Sequence, residues 1–227
     1  MGFADFLIHL GIPYNSDEAL TVAEELMGFI QEQAHEASTQ LARERGVFPA
    51  YRGSRLQSHR QRWRNATVTT IAPTGTISII ADCSAGIEPL YGIHLVRTVM
   101  DGMTLSSLHP AFVRHAETHS LALPSLQREL EQSASIQHLT QLPASLRQLF
   151  ITAHDVSPSH HVRMQAAFQR HSDSGVSKTI NLLPTATPQD VAEAFRLAYH
   201  LGCKGLTVFR SGSRHDQVLS CSQQQSC

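Results

Sequence analysis

Two β-branched runs separated by one helix-length segment dominate the last third of this 227-residue sequence. The first, Gly175-Val176-Ser177-Lys178-Thr179-Ile180-Asn181-Leu182, reads as a strand. Thr187 and Pro188 then make an N-cap and first-turn pair: the hydroxyl accepts from a free first-turn N–H, and proline has no N–H to leave unsatisfied. The helix they open runs through about Leu201 and stops at Gly202. Gly205-Leu206-Thr207-Val208-Phe209 is a second strand. A helical crossover of this length joins parallel strands, so at least part of the sheet is parallel and the fold class is α/β.

A strand followed by a turn and a helix start recurs upstream. The alternating run Ala66–Ile71 reads as a strand, and Ala72-Pro73-Thr74-Gly75-Thr76-Ile77-Ser78 leads from it into Ile79-Ile80-Ala81. Pro73 ends the ladder, and Gly75 lets the backbone approach a ligand closely. The hydroxyls of Thr74, Thr76 and Ser78, with free N–H groups at a helix start, suit a phosphate. The same residues also suit an ordinary turn with a Thr cap, and the missing Gly-Lys-Ser/Thr ending excludes a P-loop. A second loop, Cys83-Ser84-Ala85-Gly86-Ile87-Glu88-Pro89, is placed at the same end of the sheet. There Glu88 is a candidate to orient a ligand hydroxyl or to pair with an arginine such as Arg97; the alternative is a surface carboxylate.

The remaining segments are mostly helical. Apolar residues from Phe3 to Leu10 form a helix stopped by Gly11-Ile12-Pro13, and it begins without a capping sequence, as if cut from a longer chain. Asn15 or Ser16 caps a second helix that runs to about Glu44 and ends near Gly46. Residues 48–64 read as a polar connector whose arginines face solvent or an anionic partner. Pro110 opens a helix to about Ser120, residues 121–141 read as polar and peripheral, and further helices cover 142–153 and 160–170. The tail from Ser211 reads as disordered.

A 41% hydrophobic content suffices for a core, and a formal charge of -1 argues against an electrostatic DNA or RNA binder. No apolar run reaches membrane-helix length and no signal peptide is visible, which gives a cytoplasmic expectation. His115 and His119 have metal-compatible i, i+4 spacing without an evident third ligand, so solvated histidines are the default and no metal is assigned. The four cysteines lack zinc-ribbon spacing.

Five blocks in order resemble the C-terminal part of the large catalytic chain of ribonucleotide reductases, the adenosylcobalamin-dependent class (class II) most of all. They are Met1-Gly2-Phe3-Ala4-Asp5 through Gly11-Ile12-Pro13-Tyr14, then Ala72–Ser78, then Gly86-Ile87-Glu88-Pro89, then Val176–Asn181, then Gly202–Arg210. The resemblance covers about residues 1–215, leaving 216–227 as a flexible tail. It implies the C-terminal portion of a ten-stranded α/β barrel, incomplete on its own. It also implies that Pro73, Thr74, Gly75, Thr76, Ile77 and Ser78 bind the phosphates of a ribonucleotide that is reduced to its deoxy form.

Departures from the family pattern shape the rest of the expectation. The Asn-x-Cys-x-Glu motif of the radical cysteine is absent; Cys83 and Cys203 do not match it. The family equivalence of Met1 to an internal methionine implies a fragment or the smaller chain of a split enzyme, inactive without an N-terminal partner chain that carries the radical cysteine and most cobalamin contacts. Arg210-Ser211-Gly212-Ser213-Arg214 departs from the family's Arg-Asp-Gly-Ser-Arg. Val208-Phe209 stands where the class with a separate radical subunit has two tyrosines, which favours a locally generated radical and hence adenosylcobalamin. Cys221 and Cys227 match in kind the tail pair that passes electrons from thioredoxin or glutaredoxin; otherwise they are incidental exposed thiols. A non-catalytic remnant or interaction module of the same fold is the alternative function.

Overall fold

The computed structural model of the protein describes residues 1–98, 104–130 and 133–213. Helix α1 (Phe3–Leu10) buries Phe3, Ala4, Leu7 and Ile8 and ends where the N–H of Gly11, at φ +72°, returns to the last turn. Ser16, rather than Asn15, caps α2 (Asp17–Arg45): its Oγ accepts from Ala19 N at 3.1 Å. The arginine-rich connector is partly helical, with a 3-10 turn at Pro49–Tyr51 and α3 at Arg55–Ser58.

The expected strand at 66–71 is extended backbone with a single parallel bridge, Ile71 to Val176. Its hydroxyls compete with a regular ladder: Thr69 Oγ1 accepts from Asp173 N at 2.9 Å, and Thr70 Oγ1 donates to Gly175 O at 2.8 Å. Three backbone bonds still fix its register, Ser174 N to Thr69 O, Ile71 N to Gly175 O and Ser177 N to Ile71 O. The Asp173 carboxylate anchors the same segment by accepting from Val68 N at 2.8 Å and His35 Nε2 at 2.9 Å, with Trp63 stacked on His35.

After α4 (Gly75–Ile80) comes an antiparallel pair, β1 (His94–Thr98) and β2 (Thr104–Leu108), in register from His94–Leu108 to Thr98–Thr104. Four helices follow: α5 (Pro110–Thr118), α6 (Leu123–Leu130), α7 (Ala144–Leu149) and α8 (Pro158–Gln169). The 121–141 stretch is not peripheral, because Leu126, Leu130, Ile136 and Leu139 all enter the core. Helix α7 is shorter than the expected 142–153, since Thr152 bridges Leu90 and Ala153 N donates to Leu90 O at 2.8 Å instead of continuing the helix.

The C-terminal unit forms as expected. Strands β3 (Thr179–Leu182) and β4 (Thr207–Arg210) pair in parallel across α9 (Pro188–His200). Thr187 Oγ1 accepts from Asp190 N while Asp190 Oδ2 accepts from Thr187 N at 2.7 Å, a complete capping box. Val162, Ile180, Leu182, Ala194 and Ala198 make a small core beneath this unit. The main core joins α1, α5, α7 and α8 through edge-to-face rings, Phe3 on Phe168 at 5.0 Å and Phe112 on Phe150 at 5.3 Å. Such pairs contribute about 0.5–1.5 kcal/mol each beyond their burial. The described strands do not close a sheet. Among the described residues no helix is long and apolar enough to cross a membrane.

Candidate functional site

The loop Pro73–Ser78 turns directly from the Ile71 bridge into α4. The first N–H to close a turn is that of Ser78, on Thr74 O at 2.9 Å. The N–H groups of Gly75, Thr76 and Ile77 therefore precede the helical ladder and have no carbonyl of their own helix. Thr74 sits at the cap position, yet its side chain makes no cap bond, and its Oγ1 is buried without a partner among the described residues. Ser78 Oγ donates to Gly75 O at 2.7 Å, so this hydroxyl braces the turn. Pro73, Gly75, Thr76 and Ile77 are exposed, and a Cβ at Gly75 would meet nothing within 4 Å.

The second loop, Cys83–Pro89, lies against the first. A Cβ on Gly86, at φ +51°, would stand 3.5 Å from Thr74 Oγ1. Helix α1 fastens this loop. Gly2 N donates to Ser84 O at 2.8 Å, Ser84 N to Asp5 Oδ2 at 2.6 Å, and His109 Nε2 to Asp5 Oδ1 at 3.0 Å. Burial pushes the Asp5 carboxyl up, but the His109 and Ser84 hydrogen bonds outweigh it and hold the pKa at about 2.

Glu88 pairs with a lysine and a backbone N–H, while the Arg97 side chain expected as its partner lies outside the described residues. Its Oε2 accepts from Lys178 Nζ at 2.6 Å and its Oε1 from Thr179 N at 2.6 Å. The Lys178 side chain is fully buried, with Nζ 5.7 Å from the centre of the Tyr14 ring. Burial lowers the Lys178 pKa, and the Glu88 carboxylate opposes that fall. Tyr14 OH donates to Ile87 O at 2.6 Å; its pKa is raised by burial and then by Glu88.

These elements enclose an open cleft of about 600 Å³. One wall holds Gly75 and Ser78, a second Asp82 to Ala85 with Glu88, and a third His109 and Arg114 of the α5 start; Thr179 and Asn181 of β3 complete it. The size falls within the range of about 300–1,000 Å³ usual for small-molecule sites. Cys83 lines the cleft; Cys203 does not, and burial raises its thiol pKa. Cys221 and Cys227, and the expected boundary near residue 215, lie outside the described residues. His115 sits edge-on to Phe150 and His119 is the α5 C-cap; among the described residues no group of metal-ligating side chains assembles around them.

Sequence reasoning did not find Asp5, His109 or Lys178. For Lys178 a signal existed: it alternates in step with Val176, Ile180 and Leu182, the inward face of its strand.

The profile of the family described as ribonucleotide reductase, barrel domain, matches residues 1–209. A protein of Thermoplasma acidophilum named vitamin B12-dependent ribonucleoside-diphosphate reductase is 47% identical over 220 residues, covering 97% of this chain and 28% of the relative. One of the same name from Mycobacterium tuberculosis is also 47% identical, over 97% of this chain and 32% of its own length. The chain thus spans about a third of the length of these relatives. Among solved structures, the α subunit of the class Id ribonucleotide reductase of Actinobacillus ureae superposes with a TM-score of 0.78 at 23% identity, over 93% of this chain and 38% of that subunit. That likeness is one of fold.

Proposed function

The chain belongs to the ribonucleotide reductase barrel-domain family, and from that premise we propose that it is the C-terminal part of a cobalamin-dependent ribonucleotide reductase, holding the substrate's phosphates while the radical cysteine stands on a partner chain. The observation that carries this reading is the Pro73–Ser78 turn. It presents three unladdered N–H groups and the unpaired Thr74 hydroxyl beside a cleft of about 600 Å³. The relatives' names support a ribonucleoside diphosphate as substrate and vitamin B12 as cofactor.

Adenosylcobalamin, when bound, supplies the radical. The cleft of about 600 Å³ is of small-molecule size, and we assign the cofactor's main contacts to the partner chain. The residues of this chain bind and orient. Glu88 is clamped by Lys178 and Thr179 N with its carboxylate at the cleft wall, which fixes it as a hydroxyl acceptor. Cys221 and Cys227 are assigned the delivery of electrons from thioredoxin or glutaredoxin by thiol–disulfide exchange. Exposed Ile77, Ile79 and Ile80 on α4 are consistent with a face covered by the rest of the barrel.

Mixing the chain with an N-terminal reductase chain, adenosylcobalamin, reduced thioredoxin and a ribonucleoside diphosphate is expected to form the deoxynucleotide. Gly75→Asp places a carboxylate among the N–H groups without a steric clash, so it should raise KM about tenfold or more by losing charge-assisted bonds. Unchanged KM for that variant refutes the phosphate role of the loop.

A further inference from the structure

A second, smaller pocket of about 120 Å³ opens beside the main cleft. It is lined by Ile8 and His9 of α1 and by Ala111, Arg114, His115 and Thr118 of α5. His9, Ala111 and Arg114 also line the main cleft, so they form the partition between the two spaces. The polar lining is basic: one arginine, two histidines and a threonine hydroxyl, with no carboxylate.

The Thr118 hydroxyl already donates to Arg114 O at 2.9 Å, whereas Arg114 and His9 have little else to bind. Among the described residues the hydrogen-bond partner of the His9 ring is the Asp5 carbonyl, to which Nδ1–H donates at 2.7 Å, leaving Nε2 open. Arg114 is exposed, and among the described residues its guanidinium has no carboxylate within salt-bridge distance. His115 packs its ring edge-on to Phe150, which fixes its position. Burial lowers the His115 pKa, and the neighbouring His119, Arg114 and His9 lower it further, so positive charge gathers beside the pocket that His9, Arg114 and His115 line. A metal cation is disfavoured there by the permanent charge of Arg114, whereas an anion relieves the mutual repulsion.

We propose that this side pocket is a phosphate-binding subsite, with Arg114 as the principal ligand and His9 and His115 as further donors. An arginine fork matches two oxygens of a phosphate at once. The phosphate belongs either to the distal end of a nucleotide lying in the main cleft or to free orthophosphate. The subsite stands whether or not the Pro73–Ser78 loop holds phosphate, because it uses none of that loop's residues.

The test is calorimetric titration of the full chain with orthophosphate and, separately, with a nucleoside diphosphate. Gly75→Asp silences the first loop, so any orthophosphate binding that remains reports the side pocket. In that background Arg114→Gln is expected to weaken orthophosphate about tenfold or more, Arg114→Lys less, and His9→Gln by a smaller factor. If Arg114→Gln alone also weakens the nucleoside diphosphate, the ligand is the nucleotide's distal phosphate; if it weakens only orthophosphate, the ligand is the free ion. No orthophosphate binding to Gly75→Asp, or equal binding with and without Arg114, overturns the subsite. Loss confined to Gly75→Asp leaves the loop reading intact while removing this one.

Discussion

Acidification from about pH 7.5 to about pH 5.5 should destabilise this fold in a way traceable to one buried imidazole, that of His161. The residue is 0% exposed on α8, its Nε2–H donates to Ala153 O at 2.9 Å, and its Nδ1 has no partner among the described residues. Burial first, and the nearby Lys178 charge second, lower its pKa from 6.5 to about 2, against the pull of the Ala153 bond. Between those two values the unfolded chain binds a proton that the folded chain refuses, so stability falls as pH drops below about 6.5. With an unfolded pKa of 6.5 the loss between about pH 7.5 and about pH 5.5 is about 1.4 kcal/mol. His161→Gln keeps a donor for Ala153 O and removes the titration. Urea midpoints of the full chain at these pH values should therefore show the variant losing about 1.4 kcal/mol less than the parent. His154 and His160, whose pKa values burial also lowers, remain in both proteins and cancel in the difference. Any fixed cost of the substitution cancels too. Identical pH dependence of parent and variant would refute a neutral, proton-excluding His161.

Two further perturbations probe the scaffold. Glu88→Ala leaves the fully buried Lys178 ammonium without its carboxylate and should cost about 3–5 kcal/mol, most of it recovered in the double variant with Lys178→Met, as measured by denaturant unfolding. Thr187→Ala removes the hydroxyl half of the α9 capping box, leaving the Asp190 carboxylate on the backbone N–H of residue 187, and should cost about 1 kcal/mol, seen as faster amide exchange in the first turn of α9 than in its centre.

The elements most legible in the sequence are those whose ends are chemically marked. Ser16, Pro110 and the Thr187–Pro188 pair each start a helix, and Gly11, Gly46 and Gly202 follow three ends, because caps act within a single turn. The β1–β2 pair carries no such mark: His94, Arg97, Thr104, Ser106 and Ser107 interrupt its apolar alternation. The Ala66–Ile71 run has strand composition but lacks a continuous ladder, a property of its neighbours that propensity does not encode. The site divides along the same line. The 73–78 turn is local and was readable, whereas the Glu88–Lys178 pair spans 90 positions of sequence and the Asp5–His109 pair joins two helix starts. Leu126 and Leu130, in a stretch rich in Gln and Ser, show how few apolar side chains suffice to bury one helix face.

The bridge between Ile71 and Val176 gives the site a history as well as a shape. Thr70 and Gly175, beside the bridge, are 105 positions apart. Closing a loop of that length costs about 4 kcal/mol of chain entropy before the length-independent part is counted. On a ribosome adding about 5–20 residues per second, residue 71 waits about 5–20 s for its partner to be made. Throughout that interval the 73–78 turn has no strand behind it. The end of the molecule that carries this turn is therefore among its last parts to mature, and the newborn chain passes through a stage in which the turn exists without the strand that fixes its register.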